Sequence, residues 1–112
     1  MQYKRGDVVL VNYPYTDMTT LKVRPAVIVS GSQYHAEQPD LMLAGLTSNL
    51  IHSNEALSYL LRDWATAGLR TPTAFKPVIA TLDPLLIVHR IGSLSSRDLA
   101  EIEARLKIAL EL

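Results

Sequence analysis

Three histidines, one arginine set directly before a proline, and one Thr–Ser pair are the residues of this sequence whose chemistry invites a role. Histidine comes first, because its side chain changes charge near neutral pH. His35 lies in a polar stretch, His52 in a turn-like stretch, and His89 beside Arg90 in a strand-like one. No two share helical or strand spacing, and no metal-ligand spacing appears. A pair of histidines can run a general acid–base cycle on a phosphodiester. Nothing in their spacing brings two together, so surface and packing roles weigh more. The acidic residues show no local pairing of the kind that holds two metal ions. The glycines form no phosphate-binding loop. Ser30 and Ser48 sit in no strand–elbow–helix motif.

What remains is a polar pair at strand ends. In "KVRPAVIVS", Arg24 stands ahead of Pro25 and an apolar run. In "LMLAGLTSN", Thr47 and Ser48 close another apolar run. If these two strands are antiparallel neighbours in the right register, Arg24 and Thr47 meet. Taken alone, Arg24 reads as a solvated or salt-bridged cation and Thr47 as a strand-terminal hydroxyl.

The elements that would position them can be read from periodicity. "GDVVLVNYPYTD", residues 6–17, begins after a glycine. Val8, Leu10 and Asn12 share one face, and Val9, Val11 and Tyr13 the other. Apolar on both sides, it reads as a buried strand ending near Pro14. Residues 16–22 read as a loop. Residues 25–30, "PAVIVS", read as a second strand with Pro25 in first position, because proline cannot donate to a ladder. Residues 31–40 read as a loop and residues 41–48 as a third strand, in which Gly45 signals a bulge or a close backbone approach. A polar turn and a short strand near Leu57–Leu61 follow, and then residues 63–77, mostly loop. Residues 78–94 give two strands around a tight turn at Asp83–Pro84.

The carboxy-terminal segment is the clearest. Ser95 and Asp98 stand three apart, a capping-box arrangement. Leu99, Ile102, Leu106 and Ala109 then recur at helical spacing among charged residues. Five or six short strands followed by one amphipathic helix predict a mainly β (α+β) fold, a small and strongly curved sheet or barrel.

Composition sets the outer limits. With 112 residues, 48% hydrophobic and 20% charged, the sequence predicts a single domain over residues 1–112 with a substantial core. It has no cysteine, so neither a disulfide framework nor a thiolate metal site is open to it. The amino terminus does not read as a signal peptide, and no apolar run approaches the roughly 18 residues of a membrane span. The expectation is a cytoplasmic protein with no membrane contact. Formal net charge is zero, but it is unevenly spread. Residues 1–30 and 62–90 each carry an excess of base; residues 31–61 carry three acids and no base. A small basic surface and scattered solvated charges are both compatible with that.

"RGDVVLVNYPYTD", "KVRPAVIVS", "DLMLAGLTSN" and "LDPLLIVHRIGSLSSRDLAEIEARL", in that order, resemble the PemK/MazF family of toxin endoribonucleases. The likeness covers essentially the whole chain. It rests on Gly6–Val9, Arg24–Val27, Leu46–Ser48 and the Ile91–Ser95 approach to the last helix. The resemblance implies an SH3-like barrel with a terminal helix, a homodimer, and cleavage of single-stranded RNA with neither metal nor other cofactor. It implies that Arg24 and Thr47 are the catalytic pair. It also implies a partner antitoxin whose acidic, partly disordered carboxy-terminal segment covers the same groove. Two departures stand out. The loop at 16–22 has one lysine, and residues 62–77 match no familiar pattern, so the RNA sequence preferred is open.

Chemistry supports such a role for the pair. Arginine stays protonated and offers a planar fork of donors that suits phosphate. A hydroxyl donor beside it adds a second hydrogen bond to the charge that builds on phosphorus oxygens. Lys22 and Ser48 are candidate RNA contacts. Tyr13, Tyr15 and Trp64 are candidate stacking surfaces, as well explained by core packing. The general base is open between water, a phosphate oxygen and His52. Two other functions suit the same fold: a CcdB-like gyrase poison, which would not need Arg24 or Thr47, and an inactive binding module.

Overall fold

The computed structural model describes residues 3–13, 22–51 and 56–112, and for Tyr13 and Lys22 the backbone alone. The elements in chain order are β1 (Asp7–Tyr13), β2 (Lys22–Ile28), a short helix α1 (Ser32–Glu37), β3 (Leu41–Thr47), β4 (Tyr59–Leu60), β5 (Ala74–Leu82), β6 (Ile87–Ser93) and the long helix α2 (Ser96–Leu110). A single 3₁₀ turn, Pro84–Leu86, joins β5 to β6. All strand pairs are antiparallel, in the order β4-β5-β3-β2-β1-β6. The result is an open six-stranded sheet with one long carboxy-terminal helix.

Strand alternation builds two cores, one on each face. Val8, Val27, Ala44, Leu46 and Phe75 turn to one face and pack with Ile102 and Leu106 of α2. Val9, Val11, Ala26, Ile28, Leu41 and Leu43 turn to the other and close on Leu82. This is why β1 is valine-rich on both sides. Each fully buried aliphatic or aromatic side chain contributes roughly 1.5–3 kcal/mol, and Ile28, Leu41, Leu43, Phe75 and Ile102 are all 0% exposed.

Several expectations need correction. Residues 31–40 are not all loop: Ser32–Glu37 form α1. Its last-turn His35 contacts the Ser30 hydroxyl through Nε2 at 2.6 Å. Residues 63–77 are not mostly loop to their end, because β5 starts at Ala74. The second strand begins at Lys22 and ends at Ile28, so Pro25 is its fourth residue and not its first. Proline is tolerated there because pairing with β3 begins only at Ala26, leaving Pro25 paired with Leu10 of β1 alone. Ala109 is exposed and adds nothing to the helical stripe, which rests on Ile102 and Leu106 with Leu99 packed beside them.

The start of α2 is half of a capping box. Ser95 Oγ accepts the Asp98 N–H at 3.3 Å. The Asp98 carboxylate does not reach back to Ser95. It is fully buried and accepts from Tyr59 Oη at 2.5 Å, Arg62 N at 3.1 Å and Asp63 N at 2.8 Å. A buried carboxylate is tolerable because each oxygen has donors. Burial, then the bond to Asp98, pushes the Tyr59 hydroxyl up to about 12. Asp63 in turn takes Ser95 Oγ at 2.5 Å and Arg97 through Nε at 2.7 Å and Nη2 at 2.6 Å. The Arg97 bond, then that of Ser95, holds its carboxyl down at about 2.

Candidate active site

The register of β2 on β3 decides whether the arginine and the threonine meet. Ala26 pairs with Gly45, Val27 with Ala44 and Ile28 with Leu43. Carried two residues further, the same register sets Arg24 opposite Thr47. The ladder stops short of them at Pro25, which has no N–H to give. Beyond that point the two strands border a groove of about 590 Å³, lined by Arg24, Pro25, Gly45, Thr47, Lys76 and Val78 among others. The residue that ends the pairing therefore also opens the space.

Each side chain reaches the groove for a local reason. Arg24 alternates with Ala26 and Ile28, which face the second core. Two residues beyond Ala26 that core has run out, and the arginine is exposed. Thr47 is the last residue of β3 and half-buried. Its Oγ1 accepts the Asn49 N–H at 3.1 Å, and Asn49 Oδ1 accepts the Ile51 N–H at 3.2 Å. These local turns hold the hydroxyl oxygen in place and leave its hydrogen to donate.

Lys76 is the residue that sequence reasoning missed. It lies in β5 opposite Gly45 and lines the same groove. The register shift between Ala44 and Gly45 is the irregularity that the interior glycine signalled, but the extra residues, Pro77 and Val78, belong to β5 opposite it. On one side of it Ile79 faces Ala44; on the other Lys76 faces Gly45. Starting the strand at Ala74 would have placed Lys76 there. A reading of 63–77 as loop hid it.

The other candidates fall differently. Ser48 is exposed next to Thr47 but does not line the groove. Tyr13 and Lys22 pair with each other through their backbones at the ends of β1 and β2; their side chains lie outside what is described. Tyr15 and His52 lie outside the described residues. Trp64 is half-buried and packs against the core that includes Ile102 and Leu106 of α2. His89, on β6, is exposed opposite Leu10. Among the described residues no cluster of three His, Asp or Glu side chains could hold a metal ion.

The architecture is a small antiparallel sheet backed by one helix, with Arg24, Thr47 and Lys76 lining a groove among its central strands. The sequence model of the PemK-like, MazF-like toxins of type II toxin–antitoxin systems matches residues 4–110, and the chain belongs to that family. Solved structures share the fold at low sequence identity. An endoribonuclease in complex with its cognate antitoxin, from a mycobacterial species, superposes with a TM-score of 0.78 at 20% identity, covering 98% of this chain and 96% of that one. MazF of Deinococcus radiodurans, in a MazE–MazF crystal structure, gives 0.78 at 17% identity over 100% and 99%. The Mycobacterium tuberculosis toxin MazF-mt6 gives 0.74 at 16% identity over 95% and 97%. No curated protein sequence matches the chain. Among the described residues no helix is long and apolar enough to cross a membrane.

Proposed function

We propose that this toxin is an endoribonuclease that cleaves single-stranded messenger RNA in the cytoplasm by attack of a 2′-hydroxyl on the adjacent phosphorus. The observation that carries this reading is that Arg24, Thr47 and Lys76 line one groove. The forming pentacoordinate phosphorus concentrates negative charge on its non-bridging oxygens. Arg24 supplies a fixed cation with two parallel donors, and Thr47 a hydroxyl donor. Both stand on strands, so neither has to reorganise as charge develops. Lys76 adds a second cation to the same phosphate. The O2′–P bond forms and the P–O5′ bond breaks, with water giving the departing O5′ its proton, so the products are a 2′,3′-cyclic phosphate and a free 5′-hydroxyl. His52, five residues past Thr47 in the chain, is our candidate to take the 2′-hydroxyl proton, since imidazole titrates near neutrality. An arginine guanidinium already carries its proton and cannot accept another, so Arg24 does not take that part. No step needs a metal or other cofactor. Lys22, Ser48, Tyr13 and Tyr15 are assigned to the RNA path on either side. The inhibitor is an antitoxin whose acidic, partly disordered carboxy-terminal segment lies over the same cations and folds there.

Incubation of the purified protein with a long single-stranded RNA in EDTA tests the reading. Discrete fragments ending in 2′,3′-cyclic phosphate are expected. Arg24→Ala should abolish them with folding intact, since Pro25 and the apolar run remain. Arg24→Lys should restore only part, because a point charge replaces a two-pronged donor. Intact RNA with the parent protein, or full activity of Arg24→Ala, overturns it.

A further inference from the structure

Gly45 is a glycine without an internal reason. Glycine in mid-strand costs stability, so it is kept where φ is positive or where a side chain would collide. The positive-φ glycines described are Gly6 and Gly68, not Gly45. A Cβ built on Gly45 would meet Val78 Cβ at 3.8 Å and Val78 O at 4.0 Å, ordinary contact distances. The extra residues of the neighbouring bulge, Pro77 and Val78, lie on β5, so it asks nothing of the Gly45 backbone. Neither backbone nor packing within the chain demands the missing side chain. What it does is deepen the floor of the groove, two residues along β3 from Thr47.

We propose that Gly45 is a specificity-determining residue: the gap it leaves seats one nucleobase of the RNA strand held at Arg24 and Thr47. This rests on the endoribonuclease reading above and deepens it. Two strand residues span about 7 Å, within reach of a base whose phosphate sits at Thr47. The groove is cationic at the Arg24–Lys76 end and aliphatic along Val78, Ile79 and Ala80. A nucleotide has that same pairing of an anionic phosphate and a flat, weakly polar face. Val78, 63% exposed on the groove wall, sets the width of the seat, and Gly45 its depth.

The experiment maps every cleavage position on one long RNA for the parent, Gly45→Ala, Gly45→Val and Val78→Ala. Melting temperature, sedimentation and kcat and KM on a short RNA are measured alongside. Gly45→Ala should fold normally, given its 3.8 Å clearance. The expected result is a graded change of base preference at one position beside the scissile bond. Gly45→Ala and then Gly45→Val should disfavour purines there, with kcat/KM on purine sites falling 10-fold or more through KM. Val78→Ala should relax the preference. Cleavage maps that superimpose on the parent's overturn the base seat and leave the endoribonuclease reading standing. So does an unchanged map with loss of antitoxin binding, which makes the groove a peptide seat, or with a changed oligomeric state, which makes it a contact between copies. A parent that cuts no RNA removes the reading itself, and the seat with it.

Discussion

Arg24, Thr47 and Lys76 line one groove, and on the proposed mechanism their substitutions should separate each one's share of the work. Removing one preorganised donor to a developing oxyanion typically costs about 100- to 1,000-fold in rate. Thr47→Val keeps β-branching and should fold normally, yet fall by that factor in single-turnover cleavage of a short RNA. Thr47→Ser keeps the hydroxyl and should keep much of the activity. If Thr47→Val cleaves as fast as the parent, the residue is only a strand terminus. Lys76 sits at the groove as a point charge on a flexible stem. Lys76→Ala should lower the slope of log affinity against log salt by about 0.7, the value for one single-strand phosphate contact. Titration of a labelled RNA at several salt concentrations reads this. An unchanged slope would take Lys76 off the phosphate.

Two contacts tie the segment between β4 and β5 to β6 and α2. Gly92 of β6 lies against the turn before β5: a Cβ there would come within 2.3 Å of Ala67 O and 2.9 Å of its carbonyl carbon. Backbone cannot yield as a flexible side chain can. Gly92→Ala should therefore destabilise by about 1–3 kcal/mol or more, seen as an earlier urea midpoint. A midpoint equal to the parent's would mean that β6 and this turn separate freely. The second contact is the Asp63 clamp on Ser95 and Arg97. A carboxyl at about 2 in the folded chain, against 3.8 ordinarily, stabilises the fold fully above the ordinary value. That contribution is lost as pH falls from about 4 toward 2. Melting temperature followed from pH 6 to 2 should fall more steeply for the parent than for Asp63→Asn. Parallel curves would show the clamp to be stabilising nothing.

As a whole, the chain leaves apolar area in water. Ile51, Val78, Leu85, Val88, Ile108, Leu110 and Leu112 are each more than half exposed, and β6, at one edge of the sheet, carries Val88. Apolar surface of this kind marks interfaces. A symmetric homodimer is the expected form. Sedimentation at micromolar concentration should give about twice the 12.4 kDa chain mass. A single species at the chain mass would count against it.

Much of this was legible in residue order. Valine on both faces of β1 required a strand buried on two sides, and two cores enclose it. The spacing of Ile102 and Leu106 and the Ser95 cap required α2, and Gly45 signalled a break in the ladder, which falls on β5 opposite it. These are local properties: side-chain alternation, helical period and cap chemistry act within a few residues. Family resemblance marked Arg24 and Thr47 as a pair, though they stand 23 positions apart. Only the antiparallel pairing of β2 with β3 brings both to the lining of one groove. Lys76 came to them through the pairing of β5 with β3, and Trp64 went to the core beneath α2. Asp98 looked like a helix cap and became the acceptor that ties Tyr59, Arg62 and Asp63 to α2. Such partners are distant in the chain, and a donor–acceptor bond of that reach exists only once the sheet and helix have packed. Residue types and local periods determined what each element could be; the tertiary packing decided which polar groups face one another.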